Sequence, residues 1–148
     1  MTQATRPTSR IPLHPLLIAP AAALLIAAFV TDLLYWKTML IQWETFSIWL
    51  LTGGLVLAAM SGLALLIDVM GRYMRPINWS RFAILGVAAL LSLLNAFIHS
   101  RDGYTAVMPS GIALSAIVTL LLLFTGLRGW SLIAARSSST ASTQGVRS

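Results

Sequence analysis

Four apolar runs dominate the chain and leave little room for anything else. They cover about Leu13–Tyr35, Phe46–Met70, Phe82–His99 and Pro109–Leu127. A helix needs roughly 20 mainly apolar residues to cross the hydrocarbon core of a bilayer, and all four runs approach or exceed that length. Between them stand only short polar segments, Trp36–Thr45, Gly71–Arg81 and Ser100–Met108. Connections this short make sequential helices antiparallel neighbours. The expected fold is therefore all-α, an integral membrane antiparallel four-helix bundle over residues 13–135. Residues 1–12 read as a flexible arm, and the Ser/Thr-rich residues 136–148 as a disordered tail.

Composition agrees. Only 9% of the residues are charged and 57% are hydrophobic, whereas a soluble domain carries about 25% charged residues. Lipid must solvate much of the surface. The net charge of +6 does not point to nucleic acid, because the basic residues form no dense tract and accompany no nucleic-acid motif. They flank the apolar runs instead. Arg6, Arg10, Arg72, Arg75, Arg81, Arg128, Arg136 and Arg147 fall on one side, with Lys37 and Arg101 on the other. The positive-inside rule makes the arginine-rich side cytoplasmic. Both termini then lie in the cytoplasm of a bacterial inner membrane. The first run has a basic flank and Ala-x-Ala triplets like a signal peptide, but it is longer than a signal h-region and ends in an interfacial Asp32, Tyr35, Trp36, Lys37 cluster.

Polar residues inside spans are costly, tend to face protein or water, and are the candidates for chemistry. At helical spacing His14, Ala21, Leu25, Ala28 and Asp32 share one face of the first helix. Gly54, Ala58, Ser61, Leu65 and Asp68 do so in the second, Leu85, Ala88, Ser92, Asn95 and His99 in the third, and Gly111, Ser115 and Thr119 in the fourth. Small residues at this spacing let helices approach closely, so these faces are expected to point inward.

Depth divides the polar groups into two clusters. His14, Asp68 and Arg72 belong to the inner side, with Arg75 and Arg81 nearby. Asp68 and Arg72 have ion-pair spacing on one helix. Asp32, Asn95, His99 and Arg101 belong to the outer side, with Asp102 close in sequence. Asp32 needs a partner, and Arg101 or His99 can supply one. Each cluster has a structural reading, as an interhelical lock, and a functional one, as a protonatable site.

The chain has no cysteine, which excludes disulfides, thiolate metal sites and cysteine nucleophiles. His14 and His99 fall at opposite membrane surfaces and cannot ligate one haem within a monomer. No His/Asp/Glu spacing suggests a metal, no Gly-rich loop suggests a nucleotide, and no serine has a recognisable histidine base. No cofactor is expected, and enzymatic activity is not indicated.

His14-Pro15, Asp32 with Tyr35-Trp36, FSIWLL at Phe46–Leu51, the Gly62–Asp68 stretch and LLNAFIHSRDGYTAVMPSGIALS at Leu93–Ser115 together carry a resemblance. In order and spacing they resemble the predicted bacterial membrane proteins grouped as domain of unknown function twenty-two thirty-one, over about Pro12–Trp130. The resemblance implies a four-helix inner-membrane domain with no established activity. It also implies that His14, Asp32, Asp68, Asn95 and Arg101 are the family's polar positions. After the fourth helix this chain reads GLRGWSLIAARSS and lacks the acidic residue and the Tyr-Arg-His ending that such proteins often carry.

Three functions fit. The first is an accessory or structural membrane component, surrounded by the lipid bilayer and associating with a membrane protein partner or as a homo-oligomer. The second is a proton-coupled or redox-linked component. The third is an oligomeric small-solute transporter.

Overall fold

The computed structural model describes residues 14–70, 77–101, 107–130 and 132. The expected arm, the expected tail, Arg72, Arg75 and Asp102 lie outside the described residues.

Four helices account for most of what is described: α1 (His14–Thr38), α2 (Ile41–Met70), α3 (Trp79–Arg101) and α4 (Ile112–Leu127). Each of the four segments is long and apolar enough to cross a membrane, the last when counted from Met108. The fold is an all-α bundle. The first residue of α1 bonds to the last turn of α2, through His14 and Asp68, and the end of α1 bonds to the start of α2, through Asp32 and Ser47. These two helices therefore run in opposite directions. His99, near the end of α3, and Ser115, near the start of α4, both reach Asp32, which sets the direction of the other two.

The inward faces follow the small and polar residues. His14, Ala21, Leu25, Ala28 and Asp32 are buried, as are Ser61 and Asp68, Ser92, Asn95 and His99, and Ser115 and Thr119. Leu16, Trp49, Leu66, Phe97 and Leu120 point outward, as expected where lipid rather than water is the solvent. The α1–α2 contact is the most extensive. Gly54 makes it possible, because a Cβ there would sit 2.7 Å from Leu25 Cδ2 and 3.3 Å from the Ala21 carbonyl. On the other flank a cavity of about 200 Å³ opens between α1, α2 and α3, bordered by Ala58, Gly62, Phe82, Gly86 and Ala89.

Two boundaries differ from the sequence expectation. The expected loop Trp36–Thr45 is mostly helical, and only Met39 and Leu40 separate α1 from α2. Met39 takes the left-handed conformation (φ 53°), and its N–H donates to the Tyr35 carbonyl at 2.7 Å. This is a helix C-terminal closure that needs no long loop. The fourth helix was expected to open at Pro109. Its regular part begins at Ile112, after a wide turn over Val107–Gly111 in which Met108 is extended (φ −115°, ψ 131°).

Two features place the segment after α4. Gly129 reverses the chain with φ 87°, and Trp130 folds back over Gly126. Arg81 Nη1 donates to the Gly129 carbonyl at 3.3 Å. Asn78, which caps α3 by accepting from the Arg81 N–H at 3.3 Å, donates its own N–H to the Leu132 carbonyl at 2.7 Å. Leu132 is thereby held against the start of α1.

Candidate functional site

His14 and Asp32 both lie on α1, 18 residues apart, or about 27 Å at the helical rise of 1.5 Å per residue. Each anchors a polar cluster. Between them lies an apolar layer of Ala22, Leu25, Leu51, Ala88, Val118 and Leu122.

At the His14 end, the His14 Nδ1 lies 2.8 Å from Asp68 Oδ2. The His14 backbone N–H points to the same oxygen at 3.4 Å, so the carboxylate also caps the exposed amides of α1. Ser61 donates to the His14 carbonyl at 3.1 Å. The Leu132 N–H donates to His14 Nε2 at 3.2 Å. That last contact fixes the ring. A nitrogen that accepts carries no proton, so the proton sits on Nδ1 and is donated to Asp68. His14 is fully buried in this neutral form.

The Asp32 end is built differently. Asp32 is fully buried and accepts from three helices. Ser47 of α2 donates to Oδ1 at 2.5 Å, Ser115 of α4 donates to Oδ2 at 2.5 Å, and His99 Nε2 of α3 lies 3.1 Å from Oδ1. The other His99 nitrogen, Nδ1, lies 2.9 Å from the Asn95 carbonyl. A carbonyl accepts only, so Nδ1 must donate. The hydrogen between Nε2 and Asp32 is then an additional one, shared by an imidazole and a carboxyl.

The two hydroxyls are adjustable. Ser47 Oγ also lies 3.4 Å from the Ala28 carbonyl, and Ser115 Oγ lies 2.8 Å from the Gly111 carbonyl. Each has one hydrogen and at least two acceptors in reach. Rotation alone moves that hydrogen on or off the carboxylate.

Other titratable or charged groups near this end are few. Glu44 of α2 is buried one turn nearer the end than Ser47, acts on His99 through space, and has an Oε2 with no protein partner among the described residues. Tyr35 of α1 is buried. Arg101 is exposed.

Of the sequence candidates, the structure joins His14 with Asp68 and Asp32 with His99. Asp32 therefore has His99 rather than Arg101 as its described ion-pair partner. A cation at the helix end reaches the polar boundary more cheaply than the bundle interior. The expected Asp68–Arg72 pair lies partly outside the described residues, and Asp68 is engaged by His14 instead. Asn95 is buried in the same face as His99, yet its side chain hydrogen-bonds to neither His99 nor Asp32. The serines were not expected beside a histidine. Ser47 and Ser115 do converge with His99, but they donate to the carboxylate rather than to the ring, so no hydroxyl is paired with a base. Glu44 and the Leu132 N–H went unrecognised in the sequence. No group of three His, Cys, Asp or Glu residues suited to a metal occurs among the described residues.

Comparison with known families matches residues 10–140 to the predicted membrane protein family DUF2231. The chain belongs to that family. No curated protein and no solved structure matches it. For this DUF2231 protein the two His–Asp pairs and the four apolar helices are the features from which a role can be argued.

Proposed function

We propose that this DUF2231 protein is a small proton-coupled component of the bacterial inner membrane. It binds and releases a proton at the Asp32–His99 pair. The observation that carries this is the His99 ring, with an oxygen within hydrogen-bonding distance of each nitrogen. With the shared proton present, imidazolium and carboxylate balance in a medium where an unpaired charge costs several kcal/mol, by an order-of-magnitude estimate. With it absent, the Asp32 carboxylate keeps the Ser47 and Ser115 hydroxyls. The carboxylate has partners in both states, and in the second the bare His99 Nε2 facing Oδ1 is the group that recaptures the proton.

Orientation follows from the arginine count. The positive-inside rule puts the His14 end at the cytoplasmic face with both termini, and the Asp32 end at the outer face. Glu44 then stands on the outer side of His99 as the entry group for protons. The apolar layer between the pairs favours a proton sensor or a coupled subunit over a conduit. A redox role or solute transport has no comparable support among the described residues.

A second reading, a purely structural accessory component, draws on the His14 end. There a single hydrogen-bond arrangement ties α1, α2 and the segment after α4 together. In either case the partner lies in the bilayer, as another membrane protein or a further copy of the chain, and co-purification from native membrane identifies it.

Proteoliposomes carrying the protein in one orientation test the main reading. A pH step on the Asp32 side is expected to change proton occupancy, reported by an indicator dye, whereas a step on the His14 side is not. Asp32→Asn abolishes the signal and Asp68→Asn keeps it. An unchanged signal in Asp32→Asn contradicts the proposal. A reporter fused at Ser148 checks the orientation independently, and a signal from the outer side would reverse it.

A further inference from the structure

One helical turn toward the bundle centre from the Asp32 layer lies a second layer with a different composition. Four residues from Asp32, Ser47, His99 and Ser115 respectively are Ala28, Leu51, Asn95 and Thr119, all buried. Asn95 has no exposed surface, and neither its Nδ2 nor its Oδ1 has a protein partner among the described residues. The Thr119 Oγ1 is likewise unpartnered. The fourth residue in the layer, Ala28, contributes only a methyl group.

Buried polar atoms are almost always satisfied, by protein or by ordered water. An amide left bare in a bilayer is still less tolerable, since no outside solvent can reach it. We propose that Asn95 and Thr119 bind internal water beneath the Asp32–His99 pair. The chemistry of the atoms selects the ligand. Nδ2 can only donate and Oδ1 can only accept, so the occupant must both accept and donate. Water does both. A bare metal cation would suit Oδ1 and Oγ1 but is repelled by the Nδ2 hydrogens. Inward, the next layers hold Leu25, Ala88 and Leu122, which border the apolar cavity and offer such water no hydrogen-bonding side chain. Ser92 does not extend it, because its hydroxyl is spent on the Ala88 carbonyl at 2.8 Å.

The water site rests on Asn95 and Thr119; its role as an inner reservoir for proton exchange rests on the proposed proton site at Asp32. Hydrated in this way, the pair has a polar group on each side, with Glu44 outward and the water inward.

Infrared difference spectroscopy of the full chain in lipid vesicles, exchanged between H₂O, D₂O and ¹⁸O-labelled water, tests the proposal. Internal water gives stretching bands that shift with isotope. The expected result is a band in the wild type that is lost in Asn95→Leu and weakened in Thr119→Val, with the denaturant midpoint of Asn95→Leu unchanged or lowered. A dry layer, or a direct Asn95–Thr119 bond, gives no such band, or one that both variants retain in full. Either result overturns the proposal, as does a raised midpoint in Asn95→Leu, which would show that the amide was bare. Should Asn95→Leu fail to insert, Thr119→Val decides by its band alone. Asp32→Asn separates the two ideas: it leaves the water band in place, so loss of proton uptake with the band retained tests the proton site, and absence of the band in the wild type tests only the water.

Discussion

The two ends of the bundle use the same pair of residue types to opposite effect. At one end His14 donates a hydrogen bond to Asp68 and accepts one from the Leu132 N–H, which leaves its ring a single arrangement. At the other, His99 has an oxygen at each nitrogen and shares Asp32 with two hydroxyls that have alternative acceptors. A histidine–carboxylate pair in a membrane bundle is therefore neither structural nor protonic by itself. The second nitrogen decides. Where a backbone donor occupies it, as at His14, the ring has one arrangement; where an acceptor occupies it, as at His99, that nitrogen must carry a hydrogen, which is the basis of the proposed proton site.

Variants that break this contrast differ in size. Asp32→Leu removes the common acceptor of three helices and is expected to lower unfolding stability in detergent by about 3 kcal/mol. Asp32→Asn keeps the Ser115 acceptor and, with its amide nitrogen in place of Oδ1, a donor for His99; Ser47 loses its acceptor there and turns to the Ala28 carbonyl, at a cost of about 1 kcal/mol. Equal losses in the two variants would mean that the carboxylate charge, and not its hydrogen bonding, holds this end together.

Gly54→Ala attacks the close packing of the apolar layer. Its Cβ meets Leu25 at 2.7 Å, and overpacking of this kind costs roughly 1–3 kcal/mol. Gly62 borders the cavity with nothing within 4 Å of an added Cβ, so Gly62→Ala should unfold at a temperature equal to or above that of the wild type, alanine being the better helix former by up to about 1 kcal/mol.

Leu132→Pro removes the N–H that occupies His14 Nε2 together with part of the buried side chain packed on Ile18 and Leu65, at an expected cost of about 2 kcal/mol. Its sharper consequence is at the ring. With Nε2 free, the contact that fixes the Nδ1–H tautomer is gone, and the His14 Nε2 nitrogen signal should leave its wild-type position. Arg101→Gln is the smallest change. Arg101 is exposed and not bonded to Asp32, so stability should shift by less than about 0.5 kcal/mol and proton uptake should persist.

The spans and their inward faces were legible because both are periodic properties of single helices. His14, Ala21, Leu25, Ala28 and Asp32 follow from spacing alone. The choice of partner was not, because it depends on how helices rotate against one another. His99 and Arg101, two residues apart at the end of α3, were both offered to Asp32, and burial decided between them. Ser47 and Ser115 resemble any small residue at a helix interface until the carboxylate between them is placed. Glu44 was hidden by the expectation of a loop over Trp36–Thr45; its spacing of three from Ser47 was the available signal. The Leu132 N–H, which fixes the His14 tautomer, is a backbone group with no residue signature. Only Gly129, as a chain reversal beyond α4, hinted that this segment returns to the bundle.

The contrast between the two ends can be measured directly, because the chain has only two histidines. Nitrogen NMR of histidine-labelled protein in bilayers, with the signals assigned by one His14 substitution, reports the protonation of each ring nitrogen. The expected result is one histidine, His14, with hydrogen on Nδ1 and none on Nε2. The other, His99, should change between doubly and singly protonated rings. A His99 held in one protonation state throughout, or a His14 ring with hydrogen on Nε2, would contradict the account.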